Sequence, residues 1–170
     1  TATCSVADTK NHLKVATNLV FLDRLLRVER HVVCPLLGAT VKVPQMTGPV
    51  IKADENGGVV ALEAHGMEQW LQGAQKTVRK FPKGALVTDV IAALLHLGGV
   101  LPAHMSVPSR PDRLSKSFQV GPQYECGIWA AVQYLAETIN CSAYFDGGGT
   151  FQLVRRPGPV SFDFTGGVNG

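Results

Sequence analysis

The chain has 170 residues, of which 45% are hydrophobic and 17% charged, with a formal net charge of +3. That length suits one domain or two small ones with a core of their own, and the composition is too apolar and too weakly charged for a disordered tail. The 18 Gly and 10 Pro exclude a long coiled coil, and 16 basic against 13 acidic residues is too mild an excess to argue nucleic-acid binding from charge alone.

The first half reads as β. Leu13, Val15, Thr17, Leu19 and Phe21 share one side of a period-two pattern, although Leu19 to Leu26 also admits a helical reading. Leu25 to Cys34 alternates more cleanly, with Leu26, Val28, Val32 and Cys34 on one face and Arg27, Glu29 and His31 on the other. Val41 and Val43 flank Lys42, and Pro44 is expected to end that strand or mark an edge. Pro49 to Ala64 predicts a hairpin, with Asn56-Gly57 as a type I′ turn between runs of β-branched residues. Gly66 to Gln75 then predicts a short helix carrying Met67, Trp70 and Leu71 inward.

From Thr77 to Gly84 the pattern is lost, which makes this stretch the candidate boundary between residues 1–84 and 85–157. Thr88 is expected to cap a helix with Asp89 in its first turn. Val90, Ile91, Leu94, Leu95 and Leu97 form its apolar stripe, and Gly98-Gly99 stops it. Pro102 to Leu114 reads as an extended loop and Ser117 to Val120 as a short strand. A second helix is expected from about Glu125 to Asn140, with Ile128, Trp129, Val132, Leu135, Ala136 and Ile139 at helical spacing and Gln133 and Glu137 opposite. Residues 142–146 and 150–154 flank Gly147-Gly148-Gly149 as a hairpin, so that Phe145, Phe151 and Leu153 pack on that helix. The fold class is therefore α+β: a β-rich N-terminal part, then a small unit of two helices and a hairpin. Residues 158–170 read as the start of a further strand or segment, and the glycine-rich run ending at Gly170, with Thr1 at the other end, reads as a piece of a longer polypeptide.

The search for chemistry returns no catalytic, metal or cofactor site. Among His12, His31, His65, His96 and His104 no pair lies at i, i+4, and H-E-x-x-H is absent. His65 beside Glu63 and Glu68 could ligate a metal, but a strand-end histidine beside ordinary acids is the commoner arrangement. Gly147-Gly148-Gly149 lacks the Lys-Ser/Thr of a phosphate loop and precedes a strand, not a helix. Asp146 and Asp163 carry no mark of a catalytic pair, and Asp54 and Glu55 sit at a hairpin tip. Trp70 and Trp129 read as core. The basic cluster Lys76, Arg79, Lys80 and Lys83 has only Phe81 interleaved, so a solvated connector is expected rather than a nucleic-acid platform.

Cys4, Cys34, Cys126 and Cys141 form no C-x-x-C pair, and Cys34 and Cys126 fall in apolar periodic segments. Reduced thiols in a protein made in a cytoplasm are expected. Asn140-Cys141-Ser142 matches the glycosylation triplet but has no secretory context. Val87 to Leu97 is too short to span a bilayer and carries Asp89 and His96. No signal peptide is visible.

The order of elements carries a resemblance. Gly48 through Gly66 is followed by Trp70-Leu71, then Thr88-Asp89-Val90-Ile91, then Ile128 to Ala136 running into Ser142-Ala143-Tyr144-Phe145-Asp146 and Thr150-Phe151-Gln152-Leu153. Over about residues 48–156 this resembles the hub (minor tail) proteins at the tip of bacteriophage tails. The resemblance implies a virion structural protein and not an enzyme, assembled as a homotrimer that closes the tail tube. Its implied partners are the distal tail protein, the tail tube and the tape-measure protein, with no small-molecule substrate and no nucleic acid. Residues 13–65 would supply strands to a barrel, and 85–157 would be an attached domain. Family hubs are usually longer than this chain. A cell-wall-acting hydrolase and a nucleic-acid-binding module using Lys76 to Lys83 are the alternatives. The sparse charge agrees with a subunit covered by its neighbours.

Overall fold

A computed structural model of the chain describes residues 2–7, 24–36, 38–56, 59–73, 78–122 and 127–157. Nine strands and two α-helices occupy these residues, in the α+β arrangement that the sequence predicts.

Strands β1 (Ala2–Ala7), β2 (Leu25–Cys34), β3 (Ala39–Asn56) and β4 (Val59–Ala64) form an antiparallel sheet in the order β1-β4-β3-β2. This sheet is open among the described residues, not a closed barrel. Its spine is β3, 18 residues long. The N-terminal part of β3 pairs with β2, from Ala39 opposite Cys34 to Pro49 opposite Leu25. The remainder pairs with β4, from Val50 opposite Ala64 to Asn56 opposite Val59.

Two local expectations change here. Pro44 does not end its strand: β3 continues through it, and the register slips between Val28 and Glu29, so that Gln45 is the extra residue of a bulge. Pro44 lacks only a donor that this part of β3, paired on one side, does not need for its ladder. Asn56 is the last paired residue rather than a turn residue, because it lies opposite Val59; Gly57 and Gly58 lie outside the described residues. The strand expected at Leu13 to Phe21 also lies outside them.

After β4, Met67–Leu71 forms a single 3-10 turn rather than an α-helix. Met67 and Leu71 point inward as expected, but Trp70 is 39% exposed. A helix this short has no second turn to bring a third side chain onto the buried stripe. Residues 79–81, inside the stretch where the sequence pattern is lost, form strand β5 (Arg79–Phe81), which pairs antiparallel with β7 (Phe118–Val120).

Helix α1 runs Val87–Leu97. It begins two residues earlier than the Thr88 cap implies: Leu86 is the cap residue, and Thr88 is buried inside the first turn with no hydrogen-bond partner for its hydroxyl among the described residues. The start of α1 is held instead by the 112–114 segment, through Val87 N–H to the Asp112 carbonyl at 2.9 Å and Leu114 N–H to the Ala85 carbonyl at 2.9 Å. At the other end Gly99 takes φ +89°, the left-handed conformation that a side chain resists. The stretch after it holds a 3-10 turn at Pro102–His104 and the two-residue strand β6 (Met105–Ser106), which pairs parallel to β9. The proline spacing of this stretch hides both.

Helix α2 runs Ile128–Thr138, shorter at both ends than Glu125 to Asn140. Strands β8 (Cys141–Phe145) and β9 (Phe151–Arg155) follow as the expected hairpin. The two helices, β8 and β9 enclose one apolar cluster that includes Ile91, Leu94, Leu95, Val132, Leu135, Phe151 and Leu153. Trp129 is half-buried at its margin; it tilts against Phe145 at 5.7 Å between ring centroids and meets Phe151 edge-on at 6.4 Å. The open sheet has a much smaller cluster of Val50, Val60 and Leu62, with Leu26 and Ala53 against it.

Candidate functional site

The chemistry-bearing residues are scattered. His65 approaches Glu63 at 3.6 Å through Nε2 and Gln69 at 3.3 Å through Nδ1. Glu68 does not complete a ligand set, and no group of three metal-ligating side chains exists among the described residues. His31 lies 3.8 Å from Glu29 on β2, while His96 and His104 are exposed on the surface near α1. Arg79, Lys80 and Lys83 are exposed, as a solvated connector requires. Asp54 pairs with Lys52 at 2.9 Å on an exposed strand, a contact worth little in water. Cys141 is a free, buried thiol. His12, Lys76, Cys126 and Asp163 lie outside the described residues, as do the side chains of Cys4, Cys34 and Glu55. No described helix is long and apolar enough to cross a membrane.

Asp146 has a structural task. One carboxylate oxygen accepts the N–H groups of Gly148 and Thr150, both at 2.9 Å, and the other accepts the Gln152 amide at 2.9 Å. Burial pushes the carboxyl pKa up, but hydrogen bonds from Thr150, Gln152, Gly148 and Gly149 outweigh it and hold the group below its ordinary value of 3.8. The carboxylate thus orders the β8–β9 loop. That loop meets β3: the Thr47 hydroxyl donates to the Gly147 carbonyl at 3.0 Å.

A hollow of about 270 Å³ lies between the 112–118 segment and the end of α2. Of its ionisable lining residues, Asp112 pairs with Arg110 at 2.9 Å and Arg113 donates to the Gly84 carbonyl at 2.7 Å, while Lys116 and Tyr134 complete the set.

The unusual surface is the outer part of the β2–β3 hairpin. Cross-strand pairing sets Val32 beside Val41 and Arg30 beside Val43 on one face, and His31 beside Lys42 and Val33 beside Thr40 on the other. From His31 to Val33 and from Ala39 to Val43 every residue is exposed. The hairpin is therefore a two-stranded arm with water on both faces. At its tip Leu36 is 97% exposed and Val33 beside it 70%. Gly38 takes φ +59° to close the turn. A lone two-stranded ribbon is marginal in water, and contiguous exposed apolar side chains mark contact surfaces. Sequence reasoning found the strands but not the arm, because period-two alternation reads the same whether the apolar face meets a core or a partner.

A second apolar surface lies where the arm leaves the body. Leu25, Met67, Trp70, Val100 and Leu101 line a hollow of about 170 Å³, with His104 as its only ionisable neighbour. A smaller acidic hollow adjoins it, sharing Thr47 and Met67 and carrying Glu68 and Asp146.

Taken whole, the chain shares its fold with a solved prophage tail protein. Matching in structure is the 43 kDa tail protein of prophage MuSo2 from Shewanella oneidensis, known from its crystal structure, with a TM-score of 0.59 at 12% sequence identity. The match covers 91% of this chain and 44% of the tail protein, so this chain spans less than half of that protein's length. No protein-family model and no curated protein sequence matches the chain.

Proposed function

We propose that the chain is a structural component of a bacteriophage tail, placed at the tail tip as a hub (minor tail) subunit. The observation that carries this reading is the fold shared with a prophage tail protein over 91% of the chain. The exposed arm supports it, since a subunit of a tube needs surfaces that only neighbours complete. Under this reading residues 1–84 face the tube and 85–157 form an attached domain, with the β5–β7 pairing as a strap between them. The subunit assembles as a homotrimer, a closed rotational arrangement of the usual kind. It contacts the distal tail protein, the tail tube and the tape-measure protein, and resides in the virion after synthesis in the host cytoplasm. Its role is assembly, not catalysis.

Particles purified from the phage that encodes the chain provide the test. Mass spectrometry of the tails and antibody-labelled electron microscopy should place the chain at the distal tail end. Particles free of the chain, or a label spread along the head, would overturn the reading.

A further inference from the structure

Leu36 and the hollow lined by Leu25, Trp70 and Leu101 are complementary surfaces that the chain cannot bring together by itself. Leu25 begins β2, and Leu36 lies past its other end. A ten-residue strand spans roughly 30 Å, and the β2–β3 ladder holds it straight apart from the single bulge at Val28/Glu29. The arm's tip and the hollow at its base are thus fixed at opposite ends of one element. Each is an uncovered apolar surface, and the hollow's volume of about 170 Å³ is of the order of the ~150 Å³ cavities that hold one benzene-sized apolar group.

Charge agrees with this match. Toward its tip the arm carries Arg30 and Lys42, whereas Arg27 lies at the base opposite Thr47 and pairs with Glu29 at 2.8 Å. The acidic hollow that adjoins the receiving site carries Glu68 and Asp146 and no basic residue. A basic arm with an apolar tip therefore faces an apolar hollow with an acidic rim.

We propose that the tip of the β2–β3 arm, with Leu36 at its apex, seats in the apolar hollow at the arm's base on a second copy of this chain. Each copy gives one arm and receives one, a head-to-tail contact that closes into a ring when the rotation between copies allows. Trp70 and Leu101 grip the incoming leucine, and Glu68 faces the arm's basic residues. The inference deepens the tail-subunit reading and takes the number of copies from it.

The test is the mass of the full chain in solution by light scattering on a sizing column, for the wild type, Leu36→Asp, Leu101→Lys and the double variant. The wild type should run at a multiple of 18.2 kDa. Each single variant should weaken self-association by roughly tenfold or more, the effect of losing one buried leucine at the contact. The double variant should recover assembly, because the new aspartate meets the new lysine. Leu36 is almost fully exposed, so Leu36→Asp leaves the fold intact, and circular dichroism checks this for all three. Tryptophan emission supplies a second readout: seating Leu36 over Trp70 shields the indole, so emission of the wild type should be blue-shifted relative to Leu36→Asp at equal concentration. A wild type at the single-chain mass, or single variants with wild-type mass and emission, would overturn the proposal. Loss of the chain from phage particles would instead remove the tail reading and leave this contact standing.

Discussion

Around α1 and α2, 17 residues are buried in one apolar cluster. Along the four-stranded sheet the corresponding cluster holds three, Val50, Val60 and Leu62. The helical region closes on itself: both helices, β8 and β9 all contribute to the same core. The sheet closes only near β4, and beyond Glu29 the arm has water on either face. The difference separates a part whose stability comes from within the chain from a part whose apolar surface awaits a neighbour. Substitutions should therefore act on folding in one region and on assembly in the other.

The largest effect is expected at Phe151. Its ring is fully buried and meets Phe145 edge-on at 5.6 Å and Trp129 at 6.4 Å. Phe151→Ala should cost about 3–5 kcal/mol, from lost transfer energy and the cavity left behind. Urea unfolding of the dilute chain measures this. A loss below about 1 kcal/mol would mean that the helical region is not the self-sufficient part.

Gly147 tests the junction between the regions. A Cβ there would collide with the Pro44 carbonyl oxygen, and the Thr47–Gly147 hydrogen bond crosses at the same point. Gly147→Ala should destabilise by about 1–3 kcal/mol through overpacking. Amide shifts should move along β3 and the 146–150 loop but not along α1. An unchanged melting curve would show that the loop does not lean on β3.

Much of the helical region was legible in the sequence. Leu94, Leu95, Val132 and Leu135 recur at 3.6-residue spacing, and a buried stripe on a helix has one physical reading. Asp146 was not legible, because an aspartate before three glycines marks a loop without saying which N–H groups it will accept. Thr88 misled: a threonine before an acid fits a cap, yet pairing of Leu86 with Arg113 starts the helix earlier. Trp70 misled for a related reason, since a helical wheel cannot be drawn on one 3-10 turn. The arm was hidden entirely. Val32, Val41 and Val43 alternate as core residues do, and nothing local distinguishes a face that packs on its own chain from one that packs on another.

Asp146 gives a smaller effect with a pH signature. Asp146→Ala should cost about 1–2 kcal/mol at neutral pH, since charge-assisted hydrogen bonds are lost at a half-exposed loop. Because the folded-state pKa is lowered, the carboxylate stabilises the fold fully above its unfolded value, and that contribution fades as pH falls through the folded-state value. The stability gap between wild type and variant should therefore be constant above about pH 5 and shrink below pH 4. A gap that widens in acid would reverse the sign and exclude the hydrogen-bond explanation.

The smallest effect on folding is expected at Val32, and there the two regions should part most clearly. Val32 pairs with Val41 on the arm's apolar face and is 40% exposed in the single chain. Val32→Thr keeps the branched shape that strands favour and replaces a methyl group by a hydroxyl. In dilute solution the hydroxyl reaches water, so unfolding free energy should move by no more than about 0.5 kcal/mol, as at other surface sites. At concentrations where copies associate, the same hydroxyl enters an apolar contact without a partner, and association should weaken. Stability and self-association, measured on the same samples over a range of concentrations, should therefore respond differently. A drop in dilute-chain stability approaching that of Phe151→Ala would place Val32 in a core of its own chain and remove the contrast between the two regions.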